Sequence, residues 1–299
     1  MSIILVIDGG GTSTTAAAFR SGTEVARAEW PSFKPDPEAS KTDDLCRALG
    51  SWLAATAIVP TDVALVVLGM SGIWADREKR WYTDDVTAAW EHYIGADVPR
   101  VAVMSDVELV QLAALGAKAG VVMIAGTGVM AVGVTPAGQR IRVGGWGPRI
   151  DDAGGGFWIG REALRAVALS LDGRGPSTNL IRPVAAFLRC DPDEPWTLQN
   201  ALRTTSITNV ARLAQAVCTY AAEGDAVALS IRERAAQELA LVLRTARTAA
   251  GTHNPHTVVY GSLFGDEALA TRTFEFAGVD PAAIHTLADV VSGAYAALR

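Results

Sequence analysis

The sequence predicts an α/β protein of two domains, and three observations carry that prediction. Strand-like apolar runs alternate with helical segments along the chain. Two strand-turn-strand units with glycine tips, Gly9-Gly10-Gly11 and Gly126-Thr127-Gly128, stand at corresponding places and suggest two halves of related topology, a weak internal duplication. The 299 residues suffice for two domains of ordinary size, each with its own core.

The run Ile3-Ile4-Leu5-Val6-Ile7, mostly β-branched, suits a strand buried on both faces, with Asp8 at the mouth of a tight turn. Three glycines there let the backbone approach a bulky anion, because no Cβ blocks it. The hydroxyls of Thr12, Ser13 and Thr14 follow, and Ala16-Ala17-Ala18-Phe19 reads as the returning strand. This is a hairpin with a phosphate-sized tip. It is neither a Walker loop, which needs Gly-Lys-Ser/Thr opening a helix, nor a dinucleotide fingerprint. A glycine-rich hairpin without a ligand is the plain alternative.

Residues 30–37 then read as a proline-rich loop, followed by a helix from about Lys41 to Ala57 with Leu45, Leu49, Trp52 and Leu53 on one face. A strand over 63–68 ends in Gly69-Met70-Ser71-Gly72, a helix is expected over 84–93 and a strand over 101–104. Asp106 follows that strand and precedes the helical run 108–115, so its carboxylate would project from the end of a sheet. There it could take the proton of an alcohol during phosphoryl transfer, or simply cap the helix. The first domain is expected to span 1–116.

The second domain, expected over 117–287, opens with the strand 121–125, turns at Gly126-Thr127-Gly128 and returns along 129–134. A glycine-rich block, Gly144 to Gly160, follows, and helical stretches are expected from Asn209 to Ala221 and from Ala226 to Ala249. A strand over 258–260 ends in Gly261-Ser262, and a last helix over 288–299 is expected to pack back toward the first domain.

Bulk properties narrow the class. Hydrophobic content of 49% with 19% charged residues suits a globular protein, and a net charge of −6 offers no basic stripe for nucleic acid. No apolar run reaches membrane-spanning length and no signal-peptide pattern opens the chain, so a cytoplasmic location is expected. Cys46, Cys190 and Cys218 are scattered and odd in number, as buried thiols in a reducing compartment would be.

The ordered series of these segments resembles the BadF/BadG/BcrA/BcrD-type ATPase family, which contains the N-acetylglucosamine kinases, within the sugar kinase/actin superfamily. The resemblance is densest at Gly144-Gly145-Trp146-Gly147 through Asp152 to Trp158-Ile159-Gly160, where the family's spacing is kept. It implies a two-domain actin-like ATPase fold built from ribonuclease H-like domains, with nucleotide and acceptor in the cleft between them. It further implies ATP held by Gly10, Gly11, Thr12, Ser13, Thr14, Gly126, Thr127, Gly128, Gly261 and Ser262. Mg2+ would be held by Asp8 through water, and Asp106 would be the general base.

On the acceptor side the resemblance points to Ser71, Gly72, Asp106, Thr127, Gly145, Trp146 and Asp152. The sequence departs from the kinase pattern there. Ser32-Phe33-Lys34 replaces a loop asparagine, Val129 and Met130 replace Ser-Asn, and Asp152-Ala153-Gly154-Gly155 replaces Asp-Glu-Gly-Ser. Each lost partner of a buried sugar hydroxyl would cost on the order of 1–3 kcal/mol. An altered acceptor is therefore expected, with Lys34 and Arg149 available to an acidic substituent or Met130 and Phe33 to an apolar one.

The expected activity is transfer of the γ-phosphoryl group of ATP to a sugar, amino sugar or sugar-like alcohol. The expected partners are that acceptor and a second copy in a homodimer, with no nucleic acid and no membrane. A ligand-binding sensor of the same fold is the alternative. An activator ATPase ranks lower, because Cys190 and Cys218 lack the spacing of cluster ligands.

Overall fold

The computed structural model describes residues 2–35, 41–95, 97–191, 195–203 and 205–299, so the 36–37 end of the expected proline-rich loop lies outside the described residues. The chain divides into two compact units. One runs to Ala117 and includes Leu287–Arg299, and the other is Lys118–Thr286.

The first unit is built on β1 (Ile3–Gly9), β2 (Ser13–Arg20), β3 (Thr23–Pro31), α1 (Thr42–Ala55), β4 (Val63–Met70), α2 (Asp76–Tyr93), β5 (Arg100–Ser105) and α3 (Asp106–Leu115). Its sheet has the order β3-β2-β1-β4-β5. The first three strands form an antiparallel meander, while β1, β4 and β5 run parallel. β1 is central, which explains its unbroken apolar run: Ile3, Leu5 and Ile7 pack with Leu45, Leu49, Trp52, Tyr82 and Trp90 of α1 and α2.

The third strand was not expected from the sequence. β3 alternates exposed and half-buried residues as an edge strand does, and Pro31 is tolerated at its end because an edge leaves N–H positions unpaired. α2 likewise begins eight residues earlier than the apolar pattern suggests, since its first turns face solvent.

The second unit comprises β6 (Gly120–Ala125), β7 (Val129–Val134), β8 (Arg140–Gly144), α4 (Gly156–Leu171), α5 (Ile181–Leu188), α6 (Pro195–Leu202), α7 (Ile207–Ala211), α8 (Leu213–Ala222), α9 (Ala226–Ala249), β9 (Thr257–Tyr260), α10 (Glu267–Ala277) and β10 (Ile284–Thr286). The expected continuous helix from Asn209 is thus two, α7 and α8, which meet at Arg212.

Its sheet order, β10-β9-β6-β7-β8, repeats that of the first unit strand for strand: a meander of β6, β7 and β8, with β9 and β10 parallel to β6. Val121, Met123, Ala125 and Ala131 form one core with α4, α8 and α9. Gly133 admits α9 closely, because a Cβ there would fall 2.6 Å from the Ala246 carbonyl oxygen.

The last helix, α11 (Val290–Ala297), belongs to the first unit. It packs on α3 and on β1 and β2. Tyr295 stacks on Phe19 with ring centroids 4.1 Å apart and accepts a hydrogen bond from Gly22 N at 2.9 Å.

Candidate functional site

In the first unit the candidate residues gather at the carboxyl end of the three parallel strands. Registry sets Asp8 beside Gly69 and Gly69 beside Met104, and the next row is Gly9, Met70 and Ser105. Asp8, Ser71 and Asp106 therefore leave one sheet edge, the place where open α/β sheets receive ligands. One strand lies between the two aspartates, a separation of about 10 Å at the usual strand spacing.

Asp106 is the first helical residue of α3, and the cap is Ser105. Ser105 Oγ accepts from Glu108 N at 3.2 Å, and Glu108 returns a carboxylate oxygen 2.8 Å from Ser105 N. This corrects the capping alternative for Asp106 and frees its carboxylate for other work. That carboxylate accepts from Val107 N at 2.8 Å and from the Ser71 hydroxyl. Burial pushes its pKa up, while those hydrogen bonds and the nearby Lys34 charge hold it down, and the net direction is upward. A carboxyl tuned upward is a better base toward an alcohol.

The tip of the first hairpin is held by its carbonyls. Ser71 N donates to Gly9 O at 2.7 Å, Ser32 Oγ to Gly10 O at 2.7 Å, and Ser32 N to Thr12 O at 3.2 Å. In a trans peptide the N–H points opposite the carbonyl, so the Gly10 and Gly11 N–H groups turn away from these donors. Gly11 has open space where a Cβ would be, so no packing demands glycine there. Thr12 is exposed and Ser13 half-buried. Thr14 is fully buried, and its hydroxyl accepts from Phe33 N at 3.1 Å. It supports the tip and does not face it, contrary to the expectation that it contacts nucleotide.

Asp8 is half-buried, and among the described residues no group of three or more metal-ligating side chains exists. A single carboxylate at a phosphate-sized tip fits a magnesium ion that keeps most of its waters.

In the second unit the tip Gly126-Thr127-Gly128 is built the same way. Its carbonyls accept from Gly156 N at 2.8 Å and Phe157 N at 2.9 Å, the first turn of α4. The Thr127 and Gly128 N–H groups therefore face away from that helix. Gly126 too has open space at its Cβ position. Gly261 and Ser262 follow β9, the parallel neighbour of β6, so they share its carboxyl edge. Gly261 has φ 118 and a Cβ there would fall 2.2 Å from the Ala125 carbonyl oxygen, so only glycine fits.

The glycine-rich block folds against this tip. Asp152 is 7% exposed, and Oδ1 accepts from Gly147 N at 3.3 Å. A Cβ on Gly145 would meet Met130 Sδ at 2.6 Å, so Met130 lies under the loop. Trp146 is 65% exposed, with Arg142 5.3 Å from its ring centre. Arg149 and Ser262 are exposed. Lys34 and Gly72 are brought together in the first unit.

Sequence reasoning missed Ser32 as a brace for the hairpin tip and Glu108 as the partner of the Ser105 cap. The Ser-x-x-Glu spacing was the available signal for the second. Cys46 and Cys218 are buried, and burial raises each thiol to about 12, which keeps both protonated. Among the described residues no helix is long and apolar enough to cross a membrane.

Two known proteins are similar in sequence. An N-acetylmuramic acid/N-acetylglucosamine kinase of Clostridium acetobutylicum is 30% identical over 66% of this chain and 63% of its own length. An N-acetyl-D-glucosamine kinase of Dictyostelium discoideum is 31% identical over 64% and 62%. The matched part thus spans less than two thirds of either relative.

Solved structures share the fold. A candidate N-acetylglucosamine kinase from Chromobacterium violaceum superposes with a TM-score of 0.78 at 22% identity, covering 100% of this chain and 99% of that one. A ROK family glucokinase from Streptomyces griseus, in complex with glucose and AMPPNP, gives 0.58 at 16%, covering 98% of each. The fold is that of the actin-like ATPases. The sequence pattern of the BadF/BadG/BcrA/BcrD ATPase family matches residues 5–288, nearly the whole chain, and the chain belongs to that family.

Proposed function

We propose that this protein is an ATP-dependent kinase that phosphorylates a hydroxyl of a sugar, amino sugar or related compound. The observation that carries the reading is Asp106: a half-buried carboxylate, raised in pKa, at the carboxyl edge of the parallel strands with its helix capped by another residue. The kinases named among its relatives support an amino-sugar acceptor.

Asp106 takes the proton of the acceptor hydroxyl as its oxygen bonds to the γ-phosphorus and the bond to the β-phosphate oxygen breaks, releasing ADP. Ser71 orients the Asp106 carboxylate. The Gly10 and Gly11 amides receive phosphate oxygens, and Thr127, Gly128 and Gly261 serve the nucleotide from the second unit. Asp8 would hold a magnesium ion through water, which would supply charge neutralisation on the phosphates. Asp152, Gly145 and Trp146 serve the acceptor.

The acceptor side departs from the kinases of the family at Lys34, Met130 and Ala153, so we infer an acceptor other than plain N-acetylglucosamine. Cytoplasmic location and a homodimer remain parts of this proposal. The test is coupled ADP release over a panel of neutral, amino and acidic sugars. Phosphorylated product from at least one of them, lost in Asp106→Asn, is the expected result. ATP binding with no ADP release across the panel would leave a sensor.

A further inference from the structure

Lys34 lies beside the proposed base, Asp106. Its stem crosses Gly72, where a Cβ would fall 3.0 Å from Lys34 Cε, and Gly72 has φ 91. The residue before it, Ser71, hydrogen-bonds to Asp106, and the Lys34 charge acts on that same carboxylate. Yet Lys34 is an exposed residue, and among the described residues no carboxylate lies within ion-pair distance of its ammonium.

The same edge carries two anionic side chains, Asp8 and Asp106, on a chain of net charge −6. A neutral acceptor needs no cation there. An acidic acceptor does, because two carboxylates would otherwise repel it.

We propose that Lys34 selects a phosphoryl acceptor bearing a carboxylate, which meets the Lys34 ammonium while a hydroxyl of the same molecule faces Asp106. The proposal rests on the kinase reading and names its substrate class. An exposed ion pair contributes up to about 1 kcal/mol, so the preference for an acidic acceptor over its neutral counterpart should be about fivefold in kcat/KM at low salt. It should shrink as salt is added.

The experiment uses two matched pairs, N-acetylmuramic acid with N-acetylglucosamine and glucuronic acid with glucose, on the full chain and on Lys34→Gln and Lys34→Glu. The expected result is a preference for the acidic member, abolished in Lys34→Gln and reversed in Lys34→Glu. An equal loss on both members of a pair would make Lys34 a tuner of Asp106 only and overturn the proposal, as would a wild-type preference for the neutral member.

Sugar binding measured by calorimetry separates this from failure of the kinase reading. If no pair is turned over, tighter binding of the acidic sugar that disappears in Lys34→Gln still supports the Lys34 site. Equal binding of both members overturns it.

Discussion

The Asp152 carboxylate fills the space that a side chain at Gly128 would need, since a Cβ there would fall 2.3 Å from Asp152 Oδ2. One carboxylate thereby fits the second hairpin tip to the glycine-rich block, because its other oxygen accepts from Gly147 N. Asp152 itself adopts φ 56, a left-handed conformation that aspartate tolerates better than most residues.

Gly128→Ala should therefore cost about 1–3 kcal/mol through overpacking, read as a lower urea midpoint at unchanged slope. Asp152→Asn keeps the volume and should stay within about 1 kcal/mol of wild type. If Asp152 contacts the acceptor, kcat/KM should still fall ten- to a hundredfold in that variant, a split that a purely structural aspartate would not produce.

Asp106→Asn should leave ATP binding intact and lower turnover by about 10²–10⁴-fold, the usual contribution of a general base. Because the folded protein holds this carboxyl above its ordinary pKa, ionised Asp106 costs stability at neutral pH. Removing the charge should raise the melting temperature. A variant that is both inactive and more stable would separate a functional aspartate from a structural one. Unchanged turnover would remove Asp106 from its role.

The acid limb of the pH profile should follow the same group. Activity should fall as pH drops through a value above the usual carboxylate range, where Asp106 takes up its proton. The Lys34 charge lowers that value, so Lys34→Gln should move the limb to higher pH with either class of acceptor. A limb at ordinary carboxylate pH in both proteins would contradict the burial argument.

What the sequence revealed and what it hid follow one physical division. Buried elements announce themselves: β1 reads as an unbroken apolar run because both its faces are covered, and α9 runs from Ala226 to Ala249 as its apolar period indicates. Edge elements do not. β3 and β8 carry mixed residues because one side meets solvent, and both were missed. The same holds within the site. Gly-Thr-Gly and Asp106 stand out as residue types, whereas the burial of Thr14 depends on Phe33, nineteen residues away, and no local pattern encodes it.

The capping box at α3 makes a separate prediction. Burial would raise the Glu108 pKa, but the Lys79 ammonium at 2.7 Å and the Ser105 N–H bring it below the ordinary value. A depressed carboxyl stabilises the fold above its unfolded pKa and loses that contribution as pH falls through the folded value. Wild type should thus lose stability below about pH 4.3, the unfolded value for glutamate. Glu108→Gln should flatten that limb. Ser105→Ala should cost about 1 kcal/mol at neutral pH.

Two glycines of the first tip allow packing and ligand approach to be told apart. A Cβ on Gly9 would fall 2.4 Å from Met70 Sδ, so Gly9→Ala should cost about 1–3 kcal/mol of stability whatever the protein binds. Gly11 is exposed, has no positive φ and has nothing within 4 Å of its Cβ position, so Gly11→Ala should stay within about 0.5 kcal/mol of wild type. If phosphate approaches the backbone there, Gly11→Ala should nonetheless weaken ATP at least tenfold, measured by calorimetry on the folded protein. A Gly11→Ala variant with unchanged ATP affinity would mean that this tip is a bare turn and that the phosphates are held elsewhere.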